Sequence, residues 1–183
     1  MKLQLVCAAV LLAAAPASAA HWTIDYTKSK LGFSVLWSKE PFTAEFKTWK
    51  ADVDFDSADL AHARADVDVT LASEASDESD FDDGLKGALG FQVSQYPHAH
   101  FVTTAFTHKL GNDYLATGRL SLRGVTKDVT LPFTLTLDGE RAHMKGTATI
   151  IRTDYGVGQG IWSAPTPVAY DVTVTIDIYA TRK

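Results

Sequence analysis

Two histidines, His98 and His100, stand two residues apart in "HAH" at the head of an alternating apolar segment. That spacing on a strand points both imidazoles the same way, which suits zinc or copper. The other histidines, His21, His62, His108 and His143, are remote in sequence, so no third ligand is legible, and a pair of surface histidines at a strand start stays open beside the metal reading. The acids of "SDESDFDDG" invite calcium, but the loop order fails: Gly84 falls one place late after Asp80 and Asp82, and the twelfth position from Glu78 is Leu89. "GVGQG" (156–160) has the glycine density of a phosphate loop without its spacing, and Pro165 and Pro167 follow it where a helix should begin. Neither a G-x-S-x-G elbow nor an H-E-x-x-H motif occurs, and no carboxylates pair for acid–base work, so the expectation is a protein that is not an enzyme. Four basic residues near turns, Lys86, Arg119, Arg123 and Lys127, could meet an anionic headgroup or be ordinary surface charges.

The elements that must position these groups are strands. From Val129 every second residue is apolar: Val129, Leu131, Phe133, Leu135 and Leu137, with Thr130, Pro132, Thr134 and Thr136 between them. A period of two marks a strand with one apolar and one wet face, and nine residues at about 3.3 Å each make it roughly 30 Å long. Alternation recurs in "KLGFSVLWS", "KADVDFD", "ARADVDVTL", "AHFVTTAFT", "YLATGRLSL", "HMKGTATII" and "YDVTVTIDIYA", with "HWTIDYT" as a further candidate. Short polar or glycine-bearing links ("RGVTK", "LGND", "LDGER") join several of them, the antiparallel habit. One stretch differs: Phe81, Leu85 and Leu89 at a spacing of four predict a short helix, with Ser76 as N-cap and Asp77 and Glu78 in the first turn. The pattern predicts an all-β fold, an antiparallel barrel of about eight strands with one short helix between strands four and five; a two-sheet sandwich is the alternative. Small inward residues (Ala51, Ala65, Ala105, Gly118, Gly146, Ala148) fit either a cavity or an interdigitated core.

The ends and the charge narrow the function. Lys2, an apolar run too short to span a bilayer, and small residues up to Ala20 predict a signal peptide over 1–20, cleaved before Ala20 or His21, and a single domain over 21–183. The one cysteine, Cys7, lies in that run, so an exported chain must be stabilised by its core rather than by disulfides. With 17 basic against 22 acidic residues and a net charge of −5, nucleic acid is excluded as a partner, as is charge-driven docking on anionic headgroups.

"GRLSLRGVTKDVTLPF" resembles the signature hairpin of the YceI-like family of periplasmic polyisoprenoid-binding proteins, and other blocks follow in the family's order: "FKTWKADVDFD", "LKGALGFQVSQYPHAHFVTT" and "TATIIRTDYGVG". The resemblance spans about residues 22–181. It implies a lipocalin-like barrel holding a long isoprenoid chain, as a polyprenyl quinone or polyprenyl phosphate, in a periplasmic carrier or sensor without catalytic activity. The chain departs from the family at Trp37, where a histidine is common, at Gly84-Leu85-Lys86-Gly87, where His-Leu-Arg-Ser is common, and at Leu89 and Gly90, usually acidic and aromatic. Relatives rich in tryptophan at such places resemble partners of inner-membrane b-type cytochromes; this makes a non-lipid interaction module the alternative reading, favours a quinone over a phosphate, and leaves a homodimer open. The expected tunnel lining is Phe33, Trp37, Phe46, Phe81, Leu85 and Phe101, a packed core of the same residues being the competing reading.

Overall fold

The computed structural model describes residues 19–183; residues 1–18 of the predicted signal peptide, Cys7 among them, lie outside the described residues. The strands are β1 (His21–Ile24), β2 (Lys30–Trp37), β3 (Glu40–Phe46), β4 (Trp49–Asp54), β5 (Arg64–Thr70), β6 (Glu74–Ala75), β7 (His98–His108), β8 (Asp113–Leu122), β9 (Val125–Asp138), β10 (Arg141–Ile151) and β11 (Val168–Arg182), with helix α1 at Ser79–Lys86 between β6 and β7. They form eight antiparallel staves, each paired with the next in sequence and the last with the first. β1 and β2 make one bent stave: β1 pairs with β4 and the end of β11, β2 with β3 and the rest of β11. The bend is an aspartate turn, in which the Asp25 carboxylate accepts from the Thr27 hydroxyl at 2.6 Å and the Thr27 amide at 3.1 Å. Because β1–β2 is one stave and β3–β4 another, α1 follows the third stave of the ring. Closure gives every stave a neighbouring stave on both sides, although Glu40–Ala44 of β3 pair with β2 alone.

Two hairpins set the register at the end that carries α1. Arg123 and Gly124 between β8 and β9 both have positive φ, 50° and 76°, as do Ser38 and Lys39 between β2 and β3, at 51° and 75°. Such two-residue turns match the twist of the flanking strands. Buried residues gather in two layers. One, at the α1 end, includes Phe33, Leu71, Phe91 and Tyr155; the other, toward the chain termini, includes Trp22, Phe55, Tyr114 and Phe133. The apolar face of β9 extends as the alternation predicts, with Phe133 and Leu135 buried.

Three local expectations are corrected. Ser76 is not the N-cap: the helix is capped at Glu78, with Asp80 and Asp82 in its first turn, while the Ser76 hydroxyl donates to Asp82 at 2.6 Å. Leu89 is not part of the helical stripe, because the helix ends at Gly87 and the Leu89 carbonyl instead accepts from the amides of Gly158 and Gln159. Ala105 does not face inward, because a bulge between Thr103 and Ala105 lets Phe106 take the interior position. The strand β3, with Phe42, Ala44 and Phe46 in alternation, adds to the strands expected from the sequence.

Candidate ligand-binding cavity

Inward alternation on every stave would fill a narrow barrel, yet many inward side chains, Leu131, Val174 and Ile176 among them, keep accessible surface. They face a cavity of about 330 Å³, within the range of small-molecule sites. Among the described residues, Thr103 and Arg152 are the only ones lining it with a hydroxyl or a charge. Small side chains at Ala51, Ala65 and Ala148 help keep it open. An apolar cavity of this kind does not hold ordered water well, because water there finds too few polar partners.

The end beneath α1 is aromatic. Phe81 of α1 packs edge-on against Trp37 at 4.5 Å between ring centroids and on Phe42 at 5.6 Å. Trp162, from the segment joining β10 to β11, meets Trp37 at 6.1 Å. Gly84 explains why the helix tolerates a weak residue at its middle: a Cβ there would lie 2.9 Å from the Trp162 ring. Phe33 lies 5.7 Å from Phe46, and both contact Phe91. The six sequence-predicted residues, Phe33, Trp37, Phe46, Phe81, Leu85 and Phe101, all border this one cavity. Sequence reasoning missed Phe42, Trp162 and Arg152; the period-two set Phe42, Ala44, Phe46 was signal enough for the first, whereas the others lie in or beside an irregular segment.

Arg152 closes the polar corner of the cavity. It is 4 % exposed, and its five N–H groups all donate to backbone carbonyls: Nε to Ala169 (2.8 Å), Nη1 to Val157 and Gly158 (3.1 and 3.2 Å), Nη2 to Ala164 and Val168 (3.0 and 2.8 Å). Burial lowers its pKa from the ordinary arginine value, and the Tyr170 side chain works against that shift. The guanidinium is thus spent on shaping the 152–169 segment.

The other candidate groups lie elsewhere. His98 and His100 do not converge on a third ligand among the described residues: each pairs with an aspartate of β5, His98 with Asp68 at 2.8 Å and His100 with Asp66 at 2.5 Å. Among the described residues, the one grouping with metal-ligand spacing is His21, Asp52 and Asp54, on the outer surface, where Arg64 already engages both carboxylates. Of the four basic residues, Arg119 is exposed on the outer face of β8, and Lys127 pairs with Asp154 at 3.0 Å. Arg123 donates to the carbonyls of Ala88 and Gly90 and to Gln92, tying its turn to the chain after α1, and Lys86 points toward Glu74. None of the four lines the cavity.

The YceI-like domain matches residues 22–180 of this chain. A UPF0312 protein of Pseudomonas syringae pv. tomato is 29% identical over 164 residues, covering 86% of this chain and 80% of that protein. Among solved structures, BcnA of Burkholderia cenocepacia superposes with a TM-score of 0.84 at 31% identity, over 87% of this chain and 100% of that one. A polyisoprenoid-binding domain from Saccharophagus degradans shares the fold, with a TM-score of 0.69 at 17% identity over 90% and 99% of the two chains.

Proposed function

The chain belongs to the YceI-like family, and from that premise we propose that it holds a long isoprenoid lipid with an uncharged headgroup inside the barrel, as a carrier or sensor in the periplasm. The observation that carries the reading is an apolar cavity inside the barrel with no free charge on its lining among the described residues. Binding of polyisoprenoid by the structurally similar domain of Saccharophagus degradans supports the ligand class. A quinone-type headgroup fits better than a phosphate. A phosphate needs charge-assisted donors, and the one lining cation, Arg152, has all its N–H groups engaged with carbonyls. Burying about ten CH₂ equivalents contributes roughly 8 kcal/mol before the costs of immobilisation, so longer chains are needed for affinities well below micromolar.

Native mass spectrometry of the protein purified from periplasmic extract, followed by lipid extraction, tests this. The expected result is a neutral prenyl lipid in the bound fraction. A prenyl phosphate would overturn the headgroup assignment, and protein that never carries lipid would overturn the carrier reading. The same spectra report a homodimer by mass, and co-purified haem absorbance would favour the alternative, an interaction module serving a membrane b-type cytochrome.

A further inference from the structure

Beneath α1 lies a carboxyl group that the cavity does not use. Glu74 of β6 has a side chain 0 % exposed, and among the described residues neither carboxyl oxygen has a partner in hydrogen-bond geometry, Asp82 being its nearest carboxyl neighbour. It stands opposite Phe46 in the β3–β6 pairing, so both point to the inner side of the sheet, next to the cavity lining. Two charged groups of α1 face it: Asp82, itself 8 % exposed, and Lys86, whose Nζ is 4.0 Å from Oε2, beyond hydrogen-bond reach. Asp82 is biased toward its charged form. Burial opposes ionisation there, but the Ser76 hydroxyl at 2.6 Å and the Ser76 amide at 3.1 Å, together with the charge of Lys86, hold the carboxyl below its usual range. On the β3 side, Glu45 points to the opposite face, where Lys30 and Lys47 pair with it at 3.1 and 2.7 Å. Glu74 therefore has one anion and one distant cation for company in a dry place, and an ionised form is poorly served.

The helix above it is short and weakly capped. It is eight residues long, has no side-chain cap at its start, contains Gly84, and is held over the barrel by Phe81 and Leu85. We propose that Glu74 is a proton-controlled latch: protonated, it lets α1 close the barrel end, and ionised, it drives α1 open. Burial first, then the charge of Asp82, push Glu74 from 4.5 up to about 7, with Lys86 opposing. Opening exposes the carboxyl and returns it toward its ordinary value, so opening releases a proton between those two pH values. The open fraction then rises about tenfold per pH unit from about 4.5 to about 7, roughly 300-fold in all, and levels off above. The latch itself stands on the geometry alone; its consequence, that lipid enters and leaves more readily in mildly alkaline than in acidic surroundings, rests on the cavity reading above.

Hydrogen exchange separates the two. Protection of the α1 amides, corrected for intrinsic rate, is measured from pH 5 to pH 8 in the full chain and in Glu74→Gln, with β9 and β10 amides as the internal reference. The expected result is α1 protection that falls as pH rises in the parent, a flat profile in Glu74→Gln, and reference amides that do not change. A flat parent profile, or the same slope in Glu74→Gln, overturns the latch. Should Glu74→Gln not fold, Glu74→Leu carries the same test, since it too removes the titrating proton. Release of the neutral probe N-phenyl-1-naphthylamine by stopped flow gives the second arm: the latch predicts faster release at pH 8 than at pH 5 in the parent, and no such acceleration in the variant. A probe that never binds, alongside pH-dependent α1 protection, would sink the cavity reading and leave the latch standing.

Discussion

Replacing Arg152 by methionine keeps a long apolar stem and removes every donor. The five carbonyls it serves belong to Val157, Gly158, Ala164, Val168 and Ala169. Ala164 is exposed and can turn to water, whereas Val157, Gly158 and Val168 are buried. An orphaned buried acceptor costs about 1–3 kcal/mol, so those three give roughly 3–9 kcal/mol. Removing the buried cation also removes its desolvation cost of several kcal/mol, which offsets part of that loss. The expected net destabilisation is about 3–5 kcal/mol. At about 2–4 °C per kcal/mol for a chain of this size, the midpoint of thermal unfolding, followed by circular dichroism, falls by roughly 6–20 °C. Arg152→Lys keeps the charge but offers three donors from a compact head, and its loss is expected to be intermediate. Limited proteolysis adds a local readout, since cleavage within 158–167 should accelerate before the barrel strands are cut. A drop of less than about 3 °C in Arg152→Met, or full rescue by Arg152→Lys, would refute the assignment of Arg152 as the organiser of this segment.

Phe133→Asp and Val174→Asp place a carboxylate on the inner face and should each cost several kcal/mol in denaturant titration. Thr134→Asp points outward but meets Asp113, which now accepts from the Thr134 hydroxyl at 3.0 Å, so about 1 kcal/mol is expected; equal losses at 133 and 134 would mean the register is off by one. Leu85→Trp and Phe101→Trp fill free space if the barrel is hollow, and should abolish lipid co-purification with little change in melting, whereas overpacking a solid core costs about 1–3 kcal/mol per site. For Glu74 the folded pKa of about 7 lies above the ordinary 4.5, so its contribution to stability is full below pH 4.5 and lost as pH rises toward 7. Glu74→Gln should therefore melt higher than the parent at pH 8, by up to about 3 kcal/mol, with the gap closing at pH 4; a pH-independent difference would argue against the assignment.

Much of the architecture is determined locally. Alternation in β9, β10 and β11 states which side chains point inward, because successive residues of a strand face opposite sides whatever the strand packs against. The same rule puts Phe33, Trp37 and Phe101 on inward faces, and the helical spacing of Phe81 and Leu85 gives one stripe; all five border the cavity. Local rules fail where a neighbour decides. The bulge in β7 puts Phe106 inside in place of Ala105, and the pairing with β8 that defines it is not written in β7 alone. Whether small inward residues leave space or receive a large partner depends on closure of all eight staves, which sets the interior width. The roles of Arg152 and Glu74 belong to the same class. An arginine in "IRTDYG" and a glutamate in "LASEAS" read as surface charges, since nothing within a few residues tells of their burial. Burial arises when segments remote in sequence, 157–169 around Arg152 and α1 over Glu74, close on them, and burial is what turns an ordinary charge into an organiser of backbone or a proton-sensitive group.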